Sequence, residues 1–241
     1  TAFFMLSRYE ECIPGERDVH GRFPFRGSVA SRTGTVMRPI VNEYVNVLWW
    51  CMQRLWPGLR RKARDFRVLP THDVDRPYAF ATASEVIRRA GGDLQLRHNP
   101  RAMLNTLFEG AAVLFGSRKD PFDTYDWIMS ESEHADRRST FNFKAGGATR
   151  FDKPYALESP EIAALLTRIQ ERGHKIGFHP SYEAGEREEV WREEDARLRG
   201  AVNEPVAGGR QHYLRFSVPQ TWRLWESAGY EYESTLGFAS H

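Results

Sequence analysis

A chain of 241 residues with 41% hydrophobic and 27% charged residues has an ordinary globular composition, long enough for one large domain or for one domain with a smaller partner. Its 34 Lys and Arg against 32 Asp and Glu leave a formal charge of +2, which gives no support to binding of nucleic acid or a membrane surface. Two cysteines, Cys12 and Cys51, are too few for a disulfide framework and are not spaced as a zinc pair, and no run of ~18 apolar residues predicts a membrane span.

The opening Thr1-Ala2-Phe3-Phe4-Met5-Leu6 lacks an initiator methionine and a charged lead, so it reads as the interior of a longer chain rather than a signal peptide. The expected location is cytoplasmic. Residues 1–65 form one unit of texture: a polar stretch punctuated by Gly15, Gly21, Gly27 and Gly34, then a helix from about Val41 to Leu55 that Pro57-Gly58 ends. This block reads as the C-terminal part of an accessory domain, packed on the remainder of the chain. Cys51, in the apolar stretch Tyr44–Met52, is expected to be a buried thiol. The basic run Arg60-Arg61-Lys62-Ala63-Arg64 reads as a solvated linker.

From Phe66 to His241 strands and helices alternate. Strands are expected at 66–71, Ser139–Lys144, 174–178, 210–216 and 230–236. Helices are expected at Ala81–Ala90, closed by Gly91-Gly92, at Pro160–Arg172, at 186–199 and at 220–228; the span 93–130 is mostly helical or irregular. The Pro160 helix is the clearest: Ser159 can cap it, Ile162, Leu165, Leu166 and Ile169 share one face, and Gly173 stops it. Such alternation predicts an α/β fold, a parallel sheet or barrel with helices outside, whose chemistry sits at the C-terminal strand ends.

Asp73, Asp75, His179 and His212 all fall at such ends. In Thr71-His72-Asp73-Val74-Asp75, Thr71, Asp73 and Asp75 share strand parity while His72 and Val74 face away. One carboxylate can hold a divalent metal and the other can take a proton from an activated water. His179 precedes Pro180-Ser181-Tyr182, where a turn can expose its imidazole as a metal ligand, whereas His174, at the start of its strand, is expected to be structural. Arg210 and His212 share parity in their predicted strand; salt bridges of Arg210 or Arg215 to Glu193, Glu194 or Asp195 are the competing reading.

The order THDVD, RGHKIGFHPSY, RQHYLRF and GYEYESTLGF resembles the polysaccharide deacetylases of the NodB-homology superfamily, carbohydrate esterase family 4 and its relatives, over residues 66–241. The resemblance implies an irregular (β/α) barrel and a metal-dependent hydrolase that removes an N-acetyl group from a sugar of a glycan or envelope precursor. It implies Asp73 as the base, Asp75 and His179 as ligands of a divalent metal, zinc by family habit, and Arg210 as the group that orients the base. The family's second histidine would fall at Glu183; His212 or Glu183 is left to complete the site. The family's late-strand histidine acid is not found, and the last strand or strands of the barrel are expected beyond His241. Tyr182, Tyr213 and Trp222 are the aromatics expected near the strand ends, Tyr182 and Tyr213 as the substrate-stacking pair.

Three other functions are compatible with these residues. One is a hydrolase of the same fold that cleaves a C–N bond without metal, and another is a glycan-binding or scaffolding module that has lost catalysis. The third takes His72-Asp73 as the paired ligands of a helical phosphohydrolase; Val68-Leu69-Pro70, which place them at a strand end, argue against it.

Overall fold

The computed structural model describes residues 2–13, 15–63 and 65–239; Arg64 of the basic run and the terminal His241 lie outside the described residues. In the N-terminal segment, α1 (Ala2–Leu6), α2 (Val29–Thr33) and α3 (Ile40–Leu55) are joined by turns. Ser28 caps α2 by accepting the Ser31 N–H at 3.0 Å. The helix expected from Val41 forms as α3, but none of its residues is buried. Cys51 is exposed, which corrects the buried-thiol expectation: α3 packs chiefly on the short α1, too small to cover its apolar residues.

Five parallel strands follow: β1 (Thr71–Val74), β2 (Thr140–Phe143), β3 (Lys175–Phe178), β4 (Gly208–Gly209) and β5 (Tyr232–Glu233). Each pairs with the next in sequence, so the sheet runs β1-β2-β3-β4-β5 and curls as a half-barrel. The first connection carries α4 (Ala83–Gln95), α5 (Pro100–Leu114) and α6 (Tyr125–His134), the second α7 (Pro160–Glu171), the third α8 (Glu188–Ala201) and the fourth α9 (Gln220–Ser227). Register sets Asp73 beside Asn142 and Asn142 beside Gly177 on one face. The other face turns Phe141, Phe143, Ile176 and Phe178 onto Leu165, Leu166, Ile169, Trp191 and Trp225, the core that fixes the strands.

The structure moves three strands from their expected places. β1 begins at Thr71 rather than spanning 66–71, because the pairing with β2 starts at Thr71↔Thr140 and Phe66 to Leu69 lie exposed before that edge. The strand expected at 210–216 shrinks to Gly208–Gly209, and β5 covers two residues of the expected seven. At Gly209 a Cβ would lie 1.9 Å from the Phe178 carbonyl oxygen, so the pairing of β3 with β4 needs a residue without a side chain. After it the chain leaves the sheet and forms a 3₁₀ turn at His212–Leu214.

α4 also runs past its expected stop, through Gly91 and Gly92 to Gln95. Two helical glycines cost about 2 kcal/mol together. Packing against α5 offsets that, with Gly110 so close to Val86 that a Cβ would come within 2.5 Å of its methyl carbons. α7 forms as the sequence predicts, its four apolar residues buried and Ser159 accepting the Ile162 N–H.

Candidate metal centre

Asp75 follows β1, His179 follows β3, and His212 sits in the turn after β4, so three separate strand ends deliver one cluster. One carboxylate oxygen of Asp75 lies 3.3 Å from His179 Nε2 and 3.1 Å from His212 Nδ1, and the two nitrogens are 3.0 Å apart. A tetrahedral ion with bonds of ~2.0 Å spaces its ligand atoms ~3.3 Å apart, so this triangle has the edges such an ion requires.

The outer partners of both rings decide which nitrogens carry protons. His179 donates its Nδ1–H to the Arg210 carbonyl at 2.6 Å, and His212 points Nε2 at the Phe151 carbonyl at 3.3 Å. A neutral imidazole has one N–H, so His179 Nε2 and His212 Nδ1 are left as lone pairs facing the Asp75 carboxylate. Three acceptors converge with no donor between them, an arrangement that is favourable around a cation. Without one, each ring must take a second proton. Burial then opposes the Asp75 charge, yet hydrogen bonds from His179 and His212 hold its carboxyl far below the ordinary range. Asp75 is anionic either way. This donor set of two imidazoles and one carboxylate fits a divalent transition metal.

Asp73 stands on the same face two residues earlier. Its Oδ1 accepts from Asn142 Nδ2 at 2.7 Å, and Arg210 Nη1 lies 3.3 and 3.2 Å from its two oxygens. Arg210 is itself fixed by Thr71 Oγ1 at 2.8 Å and by the Ser234 carbonyl at 3.1 Å, so it ties β1 to the chain beyond β5 across the open half-barrel. The competing salt-bridge network is absent among the described residues: Arg215 pairs with Glu186, Glu194 accepts the Ser181 N–H, and Asp195 pairs with Arg199.

The structure thus brings together Asp73, Asp75, His179, Arg210 and His212. Glu183 stays outside, paired with Arg187 at 2.5 Å on the protein surface. Tyr182 is not an open platform: its ring packs on Phe151 at 4.3 Å and lies under the Arg215 guanidinium at 4.0 Å. Tyr213 remains partly exposed while its ring packs on His212 and His20. Trp222 is on α9, edge-on to Phe216, rather than at a strand end. His174 is buried and structural, accepting the Ser139 N–H and contacting Glu133.

Sequence reasoning missed four contributors. Asn142 could have been found, since it is the inward polar residue of an otherwise apolar alternating strand. Lys144 continues that parity; it is buried, its ammonium has no hydrogen-bond partner, and burial pushes its pKa down. Asp152, buried 3.9 Å from His212 Nε2, and His20 from the N-terminal segment lie far off in sequence and carry no local signal.

A family model described as "Family of unknown function (DUF7033)" matches residues 1–57. No curated protein and no solved structure matches the chain.

Proposed function

We propose that this chain is a metal-dependent amidohydrolase of the polysaccharide-deacetylase type, which removes an N-acetyl group from a sugar of a glycan or envelope precursor. The observation that carries the reading is the convergence of three lone-pair donors, Asp75, His179 and His212, beside a carboxylate, Asp73, that Arg210 and Asn142 hold in place. A divalent ion held by those donors, zinc by their chemistry, would polarise the acetyl carbonyl and acidify a water.

The chain's own residues supply the rest. Asp73 accepts the proton as the water oxygen attacks the acetyl carbon, and it can return that proton to the amine nitrogen as the C–N bond breaks. Acetate and a free amino sugar are the products. Arg210 and Asn142 restrict Asp73 to one orientation. A cavity of about 540 Å³ adjoins the centre through Asp152 and Arg76, and its walls mix Tyr78 and Pro154 with Lys153 and Glu161. Apolar faces beside paired donors and acceptors suit a hydroxylated ring.

The test is metal analysis of the purified protein together with acetate release from N-acetylglucosamine oligomers. Near-stoichiometric zinc, cobalt or nickel is expected, with acetate release reduced about 10²–10⁴-fold in Asp73→Asn. Oligomer binding without metal or acetate would instead establish a glycan-binding module. Acetate release by metal-free protein would establish the metal-independent reading.

A further inference from the structure

His212 is the least anchored of the three donors. Asp75 and His179 each directly follow a paired strand, whereas His212 sits in a turn outside the sheet. The two residues after it, Tyr213 and Leu214, have φ of 58° and 53°. Two successive non-glycine residues in the left-handed region do not hold themselves there; surrounding contacts must impose the geometry.

Those contacts come from the N-terminal segment. Arg22 donates Nη1–H to the Tyr213 carbonyl at 2.7 Å. Arg22 is in turn fixed by Asp18, 2.7 Å from its Nε, and Asp18 also accepts the N–H groups of His20 and Arg22 at 2.9 Å each. Backbone bonds close the same turn, Gly21 N–H to Asp18 O at 2.9 Å and Asp18 N–H to Arg22 O at 3.0 Å, with Gly21 at a φ of 75°. The result is a rigid five-residue loop. Its tip, His20, binds the surroundings of His212 on three sides. The His20 carbonyl accepts from Arg215 Nε at 3.0 Å, its Nδ1 meets the Tyr182 hydroxyl at 3.0 Å, and its ring packs on Tyr213 and Phe151 at 4.9 and 5.2 Å. Phe151 is the residue whose carbonyl faces His212 Nε2.

We infer that the Asp18–Arg22 loop is a clamp that positions His212 as a metal ligand, so that the affinity of the centre is set in part by the segment matching the family of unknown function. The inference rests on reading Asp75, His179 and His212 as a metal centre. Arg22 and His20 touch no reacting atom; they are positioning residues. Partners that orient a ligand typically contribute ten- to a hundredfold in metal affinity.

The experiment titrates zinc into the metal-stripped full chain, wild type, Arg22→Ala, Asp18→Asn and Arg26→Ala, by calorimetry, with thermal melts of each metal-free protein. Arg26 belongs to the same segment but pairs with Glu16 on the surface. About tenfold weaker zinc binding is expected in Arg22→Ala, a smaller loss in Asp18→Asn, and none in Arg26→Ala. Should Arg22→Ala not fold, Asp18→Asn decides, since it loosens Arg22 without removing it. Unchanged affinity in the folded loop variants, or equal loss in Arg26→Ala, overturns the clamp while the metal reading stands. No zinc, cobalt or nickel binding by wild type overturns the metal reading, and the clamp with it.

Discussion

Arg210 and Asp73 lie 137 residues apart in the chain, yet Arg210 Nη1 sits 3.3 and 3.2 Å from the two oxygens of the Asp73 carboxylate. The guanidinium also binds Thr71 and the Ser234 carbonyl, so a single side chain joins the first strand to the chain beyond the last. Replacing it loosens Asp73 without touching the ligand side chains. Arg210→Met is therefore expected to lower kcat for acetate release by about 10²-fold, with metal content by elemental analysis unchanged. Loss of metal in that variant would show that Arg210 serves the ligands instead.

His212 and Glu183 give opposite expectations. His212→Ala removes one of three donors and is expected to weaken zinc binding by more than the ~100-fold upper range for outer partners. Glu183→Gln breaks only its surface pair with Arg187 and is expected to leave affinity within about twofold. Calorimetric titration of both variants reads the difference.

Acid sensitivity should concentrate at Glu133. Hydrogen bonds from Arg172, then from His174, lower its carboxyl to about 2 from an ordinary 4.5. A depressed folded-state value means that its contribution is fully present above 4.5 and fades as pH falls from there through about 2. Denaturant midpoints measured from pH 6 down to 2 are expected to fall less steeply in Glu133→Gln than in wild type.

Gly209→Ala places a Cβ 1.9 Å from the Phe178 carbonyl oxygen, a backbone atom that cannot move aside without breaking the pairing of β3 with β4. Destabilisation of about 3 kcal/mol or more is expected. Circular-dichroism melts check it, and Gly34→Ala, where a Cβ meets nothing within 4 Å, is the comparison for a left-handed glycine without crowding.

Lys144 is buried with an unpartnered ammonium, close enough to Asp75, Asp152 and Glu194 to feel their charge. Fold stability alone would favour an apolar residue there. Lys144→Met is expected to raise the unfolding free energy by about 1 kcal/mol or more. A lower melting midpoint would show instead that its charge offsets the three carboxylates.

The resemblance pointed to the roles of Asp73, Asp75 and His179 because each follows a short apolar strand whose periodicity is local: Val74, Ile176 and Phe178 face the helices. α7 was legible for the same reason, its cap, apolar face and glycine stop lying within fifteen residues. The strand expected at 210–216 was not, because its alternation resembles a strand while the close approach at Gly209 takes the chain out of the sheet one residue earlier.

What the sequence by itself determined is the alternation of elements and the residues that end them, since caps, periodicity and glycine stops act over a few neighbours. The choice of His212 over Glu183 as third donor was made only by the tertiary structure. So were the orientation of both imidazoles by the Arg210 and Phe151 carbonyls and the grip of Arg22 on Tyr213. Each of those is a contact between segments more than thirty residues apart. It depends on how the half-barrel curls and where the N-terminal segment docks, which no local pattern encodes.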